Sequence, residues 1–256
     1  MILAIDAGNT NIVVGCIENG EIVSKCRFTT DRNEQDYGYA MKLCQAFEFD
    51  GIDSHCFEGA IISSVVPPIT LSLRSAVKKI TGLDAMVIGA GMKTGLNVRI
   101  DDPGTLGADF VADSVAVIAR NKLPAIVIDM GTATTITVID ESKSFIGGAI
   151  VPGVNLSFSA LASGTSLLPN ISIEAPPRCI STNTADCMKS GAVYGTAALI
   201  DGMIERMEEE LGRPAAVIAT GGLAQQVITY CRREIEFDHY LLLRGLEILY
   251  EKNKKK

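Results

Sequence analysis

Apolar residues open the chain in short blocks, Ile2 to Ile5, Ile12 to Ile17 and Ile22 to Phe28, which are β-branched or alternate with polar residues. Gly8-Asn9-Thr10-Asn11 and Glu18-Asn19-Gly20-Glu21 separate them, and both are good turn sequences, so a meander of antiparallel strands is expected. Across 34–48 the spacing changes to helical, with Tyr37, Met41, Leu43, Cys44 and Phe47 as its apolar and aromatic positions. Ala60 to Ser64 is a buried strand stopped by Val66-Pro67-Pro68; a helix over about 69–81 and a strand at Ala85 to Ile88 close the first half. The second half repeats the plan. Strands are expected at Ala125 to Ile128, Thr134 to Ile139 and Ser144 to Ile150, then helices around 153–163, 184–211 and 223–233. A strand at Ala216 to Ala219 sits between the last two helices, and a helix from Tyr240 to Lys252 ends the pattern.

That return of the plan is the strongest organisational signal. Ile5-Asp6-Ala7-Gly8-Asn9-Thr10-Asn11-Ile12 and Ile128-Asp129-Met130-Gly131-Thr132-Ala133-Thr134-Thr135-Ile136 share one grammar: strand, Asp-x-Gly, hydroxyl or amide residues, strand. Self-similarity of this kind implies a duplicated unit with a pseudo-two-fold axis and a central cleft. The expected lobes are 1–117 and 118–256, with a continuous interface near 114–124 because no low-complexity linker divides them.

The repeated turn suits a polyphosphate. Glycine allows close backbone approach, turn N–H groups serve as anion donors, and Asn and Thr side chains add more. A carboxylate cannot touch phosphate directly, so Asp6 and Asp129 are expected to face a cation or its water shell. Either turn alone also reads as an ordinary hairpin, since Asn, Asp and Gly are turn formers for conformational reasons; two matched copies in equivalent places favour the ligand. Other phosphate grammars are missing. Gly91-Met92-Lys93-Thr94 has the wrong order for a P-loop, and no Gly-x-Gly-x-x-Gly follows a strand.

Composition narrows the function further. The net charge of -7 and pI near 5.0 argue against a nucleic-acid binder, which needs a basic face. The basic tail Lys252, Lys254, Lys255 and Lys256 reads as a solvated end. The opening has no basic n-region and Asp6 interrupts its apolar run, so no signal peptide is expected; no stretch approaches the roughly 18–20 apolar residues of a membrane span. The seven cysteines are scattered without a CxxC pair and are expected as reduced thiols of a cytosolic protein, mostly small core residues. His55 and His239 are the only histidines, and nothing places either beside a nucleophile.

The duplicated grammar resembles the superfamily of actin, sugar kinases, acetate kinase and heat-shock chaperone ATPases, an α/β class with a duplicated ribonuclease H-like (actin-like ATPase) fold. The wording of the motifs is similar to type III pantothenate kinases. IDAGNTN (5–11), SSVVPP (63–68), MKTGL with PGTLGAD (92–96, 103–109), DMGTATT (129–135) and GGAIVPG (147–153) carry the match. Leu168-Pro169, Asn183-Thr184, Ser190-Gly191 and Ala219-Thr220-Gly221-Gly222-Leu223 extend it, so most of the chain is covered. The resemblance implies ATP-dependent phosphorylation of pantothenate to 4′-phosphopantothenate, the first step towards coenzyme A, by a cytoplasmic homodimer with no nucleic-acid or membrane partner. It assigns the ATP phosphates to Asp6, Ala7, Gly8, Asn9, Thr10, Asn11, Ile12 and Val13, with Thr132 also on the nucleotide. It implies Mg²⁺ and a monovalent cation, potassium or ammonium, at Asp129 near the dimer interface. Gly107, Ala108, Asp109, Phe110 and Thr184 are implied to line the pantothenate pocket. Asp109 is the expected general base, because a carboxylate within hydrogen-bond reach can accept the proton of a primary alcohol as phosphoryl transfer proceeds. Asp113, one turn later, is expected to raise the pKa of that base by like-charge repulsion.

Other segments carry two readings each. Gly147-Gly148 and Pro152-Gly153 serve turn and helix-start chemistry or touch ligand, with the former favoured. Thr220-Gly221-Gly222 either admits an adenine against bare backbone or packs a strand tightly on a helix. The chain also departs from the family pattern: Phe110 and Asp113 stand where Arg and Asn are usual, and Ser181-Thr182 where a Gly-Lys or Gly-Arg pair is common. Losing a guanidinium removes a planar charged fork. Three readings follow: an active kinase with compensating cations such as Lys93, Arg99 or Lys189; a kinase of a related, less acidic substrate; or a weakly catalytic nucleotide-binding paralogue with a regulatory role. A phosphohydrolase of the same superfamily is the alternative of a different class.

Overall fold

The computed structural model describes residues 1–165, 168 and 172–254; Pro169 of the Leu168-Pro169 pair, and Lys255 and Lys256 of the basic tail, lie outside the described residues. In chain order the first elements are β1 (Ile2–Ala7), β2 (Asn11–Glu18), β3 (Glu21–Thr29), α1 (Asp36–Asp50), β4 (Gly59–Ser64), α2 (Pro67–Thr81) and β5 (Met86–Val87). Then come β6 (Asn97–Val98), α3 (Ala108–Ala119), β7 (Ala125–Met130), β8 (Ala133–Ile139), β9 (Ser144–Pro152) and α4 (Val154–Gly164). The remainder is α5 (Thr184–Ser190), a π-helical turn at Gly191–Gly195, α6 (Thr196–Leu211), β10 (Ala216–Thr220), α7 (Ala224–Ile228), β11 (Glu236–Phe237) and α8 (Leu241–Asn253).

Two compact units result. One comprises Met1–Leu96, Asp102–Ala119 and the chain from Leu241 on; the other comprises Asn97–Asp101 and Arg120–Tyr240. The first holds a sheet in the order β3-β2-β1-β4-β5, the second a sheet in the order β11-β10-β7-β8-β9-β6. In each, an antiparallel meander (β1-β2-β3; β7-β8-β9) is continued by parallel strands on the far side of its first strand (β4, β5; β10, β11). The duplication extends to burial. Every residue of β1 is buried except Asp6, and every residue of β7 except Asp129; β2 and β8 carry the same sequence of buried and half-buried positions along Asn11–Ile17 and Ala133–Ile139.

Each sheet buries one face under helices. Leu3, Ile5, Ile12 and Val14 pack with Leu43 and Phe47 of α1 and with Ile69, Leu73 and Val77 of α2. Ile126, Ile128, Ile136 and Val138 pack with Phe158 of α4 and with Ile200 and Ile204 of α6. Full burial of an Ile or Leu contributes about 1.5–3 kcal/mol, and a one-residue slip of β1 or β7 would turn its Asp onto the helix-packed face in place of such a residue, so the place of each Asp is fixed. Pro67 and Pro68 do more than stop a strand: they occupy the first positions of α2, where the missing N–H costs nothing. In the first unit α8 closes on α3 so tightly that a Cβ on Gly245 would collide with the Ala112 carbonyl, which seats the helix that carries Asp109.

Three expectations change. The helical run over 184–211 is not one α-helix but is interrupted by the π turn at Gly191–Gly195. The helix expected over 223–233 ends at Ile228, because the Asp201 carboxylate takes the backbone N–H groups of Arg232 at 2.9 Å and Arg233 at 3.1 Å and holds that stretch as a loop. The cysteines are not mostly core residues: Cys16 is buried, Cys26 and Cys231 are half-buried, and Cys44, Cys56, Cys179 and Cys187 are exposed, all as free thiols. No helix among the described residues is long and apolar enough to cross a membrane.

Candidate active site

The first turn joins β1 to β2 through Gly8, Asn9 and Thr10. Ala7 and Ile12 are the last pair across the hairpin, and the Gly8 N–H donates to the Asn11 carbonyl at 3.0 Å. Asp6 is half-buried, Asn9 and Thr10 are exposed, and Val13 lies opposite Asp6 in the ladder. Thr30, just beyond β3, braces this turn twice: its N–H donates to the Thr10 carbonyl at 2.9 Å and its hydroxyl to the Gly8 carbonyl at 2.7 Å. The Arg32 guanidinium adds a bond from Nη2 to Asn9 Oδ1 at 3.0 Å.

The second turn repeats this scaffold in less space. Met130 and Thr134 close the hairpin around Gly131, Thr132 and Ala133, and the Gly131 N–H donates to the Ala133 carbonyl at 3.0 Å. Gly153, just beyond β9, stands where Thr30 stands in the first unit, and its N–H donates to the Thr132 carbonyl at 3.1 Å. The approach is so close that a Cβ on Gly153 would lie 2.6 Å from the Gly131 carbonyl oxygen. Gly153 is therefore helix-start chemistry, as the cap of α4, and also the brace of the second turn.

Neighbouring strands complete the surroundings of each carboxylate. Asp6 is registered beside Ser63 of β4, and Asp129 beside Thr220 of β10; both hydroxyl residues are buried. The Ser63 Oγ has no hydrogen-bond partner among the described residues. Gly221 has φ of +97°, and a Cβ there would lie 2.6 Å from Asp129 Oδ1 and from the backbone of Met130. Both facts make Gly221 a tight-packing glycine against the Asp129 strand. Gly147, at φ +122°, sits at the irregular register between β8 and β9, and Gly148 crosses β8 too closely for a side chain, so this pair also serves the sheet.

Asp109 lies in the first turn of α3, half-buried, with Gly107 and not Asp109 in the capping place before Ala108. Its Oδ1 accepts the Phe110 backbone N–H at 2.9 Å and folds back over Gly107, where a side chain would collide with it and approach the Phe110 ring. Burial pushes the carboxyl above its usual range, while the N–H groups of Phe110 and of Asp109 itself pull the other way. Burial, and not repulsion from Asp113, is thus the cause of the shift; Asp113 is itself buried on the same helix. Thr184 is exposed at the start of α5, where the Asn183 side chain caps by accepting the Asp186 N–H at 2.9 Å. Of the cations expected to compensate for Phe110, Arg99 pairs with Asp140 and Lys189 with Glu174.

Thr30, Arg32 and the bracing role of Gly153 escaped the sequence reading. One signal for the first and last was available: each is the residue that directly follows the third strand of a meander. Among the described residues no cluster of three or more His, Cys, Asp or Glu side chains could hold a metal ion. One carboxylate per turn, with an unpartnered buried hydroxyl beside Asp6, fits a Mg²⁺ ion that draws its other oxygens from water and phosphate, and does not fit an all-protein cage.

Comparison with known proteins bears on the family and the fold. A family model described as type III pantothenate kinase matches residues 2–206. A type III pantothenate kinase of Halalkalibacterium halodurans is 42% identical over 253 residues, covering 99% of this chain and 100% of the relative. Among solved structures, a protein described as a Baf family transcriptional activator from Campylobacter jejuni superposes with a TM-score of 0.60 at 20% identity, covering 98% of each chain. A ROK family glucokinase from Streptomyces griseus gives a TM-score of 0.56 at 13% identity, again over 98% of each chain. These two likenesses bear on the fold, which is that of the actin-like ATPases and sugar kinases.

Proposed function

The chain belongs to the type III pantothenate kinase family and phosphorylates pantothenate with ATP on the way to coenzyme A, and we propose that Asp109 is the base of that reaction. The observation that carries the proposal is the carboxylate itself: half-buried in the first turn of α3, oriented by the Phe110 N–H, and with its pKa raised by burial. A base of raised pKa accepts a proton more readily once ionised, which suits the poorly acidic primary alcohol of pantothenate. As the γ-phosphoryl group passes to the hydroxyl oxygen, the proton goes to Asp109 and ADP departs.

The other roles divide by unit. Asp6, Ala7, Gly8, Asn9, Thr10, Asn11, Ile12 and Val13 take the ATP phosphates, with support from the doubly braced turn; Thr132 contributes on the nucleotide from the second turn. Mg²⁺, when bound, neutralises charge on the phosphates, and Asp6 with Ser63 is the set that suits its water shell. Asp129 is the residue that would hold a monovalent cation, potassium or ammonium. Gly107, Ala108 and Phe110 take pantothenate, and Thr184 is the residue of the second unit assigned to the same substrate. The enzyme works as a cytoplasmic homodimer, without nucleic-acid or membrane partners.

A coupled ADP-release assay with pantothenate, with and without potassium, tests the reading. Turnover should require pantothenate and rise with potassium, and Asp109→Asn should lower kcat by roughly 10²–10⁴-fold. Wild-type turnover in Asp109→Asn would remove Asp109 from the role, and indifference to potassium would remove the cation from Asp129.

A further inference from the structure

We propose that Arg32 is a positioning residue for the triphosphate, setting the Asn9 amide and meeting the phosphate tail at the first turn; this rests on the reading that the first turn takes the phosphates. An Asn side chain has an acceptor end and a donor end, and only the donor end welcomes an anion. Arg32 Nη2 holds Asn9 Oδ1 at 3.0 Å, so the acceptor is occupied and the amide NH₂ is left for phosphate. Without that bond the amide is free to rotate and present its oxygen.

The backbone around Arg32 is held on both sides. Thr30 is tied to the turn through the Thr10 and Gly8 carbonyls. The Asp31 carbonyl accepts the hydroxyl of the fully buried Tyr39 at 2.7 Å, and the Asp31 carboxylate accepts the Asn33 N–H at 2.9 Å. An arginine on so fixed a segment loses little entropy when it engages an anion.

Arg32 also keeps its charge to spare. Among the described residues it makes no ion pair; of the acids beside it in the sequence, Glu34 pairs with Lys42 at 2.7 Å and Asp31 accepts the Asn33 N–H. Arg99 and Lys189, by contrast, are each paired with an acid. The guanidinium therefore has N–H donors left beyond the one on Asn9, in a fork geometry that matches phosphate oxygens.

Steady-state kinetics of the full chain decide the matter, with ATP and pantothenate varied separately. Arg32→Ala should raise KM for ATP roughly tenfold or more, as loss of a charge-assisted bond does, and leave KM for pantothenate within about twofold. Arg32→Lys should recover part of the loss, since an ammonium restores charge but not the fork. The thermal midpoint of Arg32→Ala should match wild type, as the side chain is exposed. Asn11→Ala, elsewhere in the same turn, separates the two ways to fail. If Asn11→Ala raises KM for ATP and Arg32→Ala does not, Arg32 has no such role and the turn keeps its ligand. If neither moves it, the phosphate reading of the turn fails and the Arg32 role fails with it. An equal rise in both KM values, or a lowered midpoint, would make Arg32 merely structural and overturn the proposal.

Discussion

The two Asp-x-Gly turns are built alike and equipped differently. Each ends a strand whose one incompletely buried residue is the aspartate. In each, the glycine N–H returns to a carbonyl of the opposite strand at 3.0 Å, and the residue after the third strand braces the turn through its own N–H. Beyond that scaffold they part. The first turn is longer, carries Asn9, Thr10 and Asn11, and is braced by a threonine with a working hydroxyl. The second is braced by a glycine pressed so close that no side chain fits. Duplication kept what the backbone must do and let side chains diverge. Side-chain donors and the Asp109 helix gathered in the first unit; the second relies on close backbone packing at Gly153 and Gly221.

Substitutions can break this contrast. The largest stability effect is expected from Gly153→Ala, whose Cβ would meet the Gly131 and Thr132 carbonyls. Overpacking against backbone should cost about 1–3 kcal/mol, or roughly 2–4 °C of Tm per kcal/mol in a chain of this size. KM for ATP should rise with it as Thr132 is displaced; wild-type Tm and KM together would show that the brace is dispensable. Thr30→Val removes the hydroxyl bond to Gly8 while keeping shape, and should cost about 1 kcal/mol in urea unfolding. A loss as large as that of Gly153→Ala would erase the contrast between a side-chain and a backbone brace. Gly8→Ala should be milder still, below about 1 kcal/mol, since its Cβ would stand 3.2 Å from the Asn11 carbonyl and one small shift relieves it.

The smallest effect sharpens the picture of Asp109. Because burial raises its pKa, the folded chain binds that proton more tightly than the unfolded chain does. Its contribution to stability is therefore full below the unfolded carboxylate pKa and is lost as pH rises through the higher folded value. Asp109→Asn should be more stable than wild type at neutral pH, and the gain should vanish in acid; Tm measured across pH checks both. The same shift places the acid limb of the kcat/KM profile above the ordinary carboxylate range, since the base must be ionised to act. A gain in stability that persists at the lowest pH would contradict the buried-charge explanation.

Much of this was legible in the sequence. The meanders were readable because β-branched runs and turn residues are local signals, and the repeat because Asp-x-Gly recurs in the same context. The strands Asn97–Val98 and Glu236–Phe237 were not, because two residues carry no periodicity and exist only by pairing with β9 and β10. The early end of α7 depends on the Asp201 carboxylate, about thirty residues away in the chain. At the site, Asp109 and the turn residues were visible as motifs, whereas Thr30 and Arg32 act through contacts across a hairpin that only folding creates. Gly221 was legible as a glycine but its reason was not: the Cβ clash with the Asp129 strand exists only once β10 lies beside β7.

A crystal structure with a non-hydrolysable ATP analogue, Mg²⁺ and pantothenate would show whether the first turn and Asp109 meet the two substrates. Phosphate oxygens should lie within hydrogen-bond reach, about 2.6–3.2 Å, of donors in the Gly8–Asn11 turn, and the pantothenate hydroxyl at the same distance from the Asp109 carboxylate. A triphosphate bound away from that turn, or a hydroxyl far from Asp109, would contradict the account.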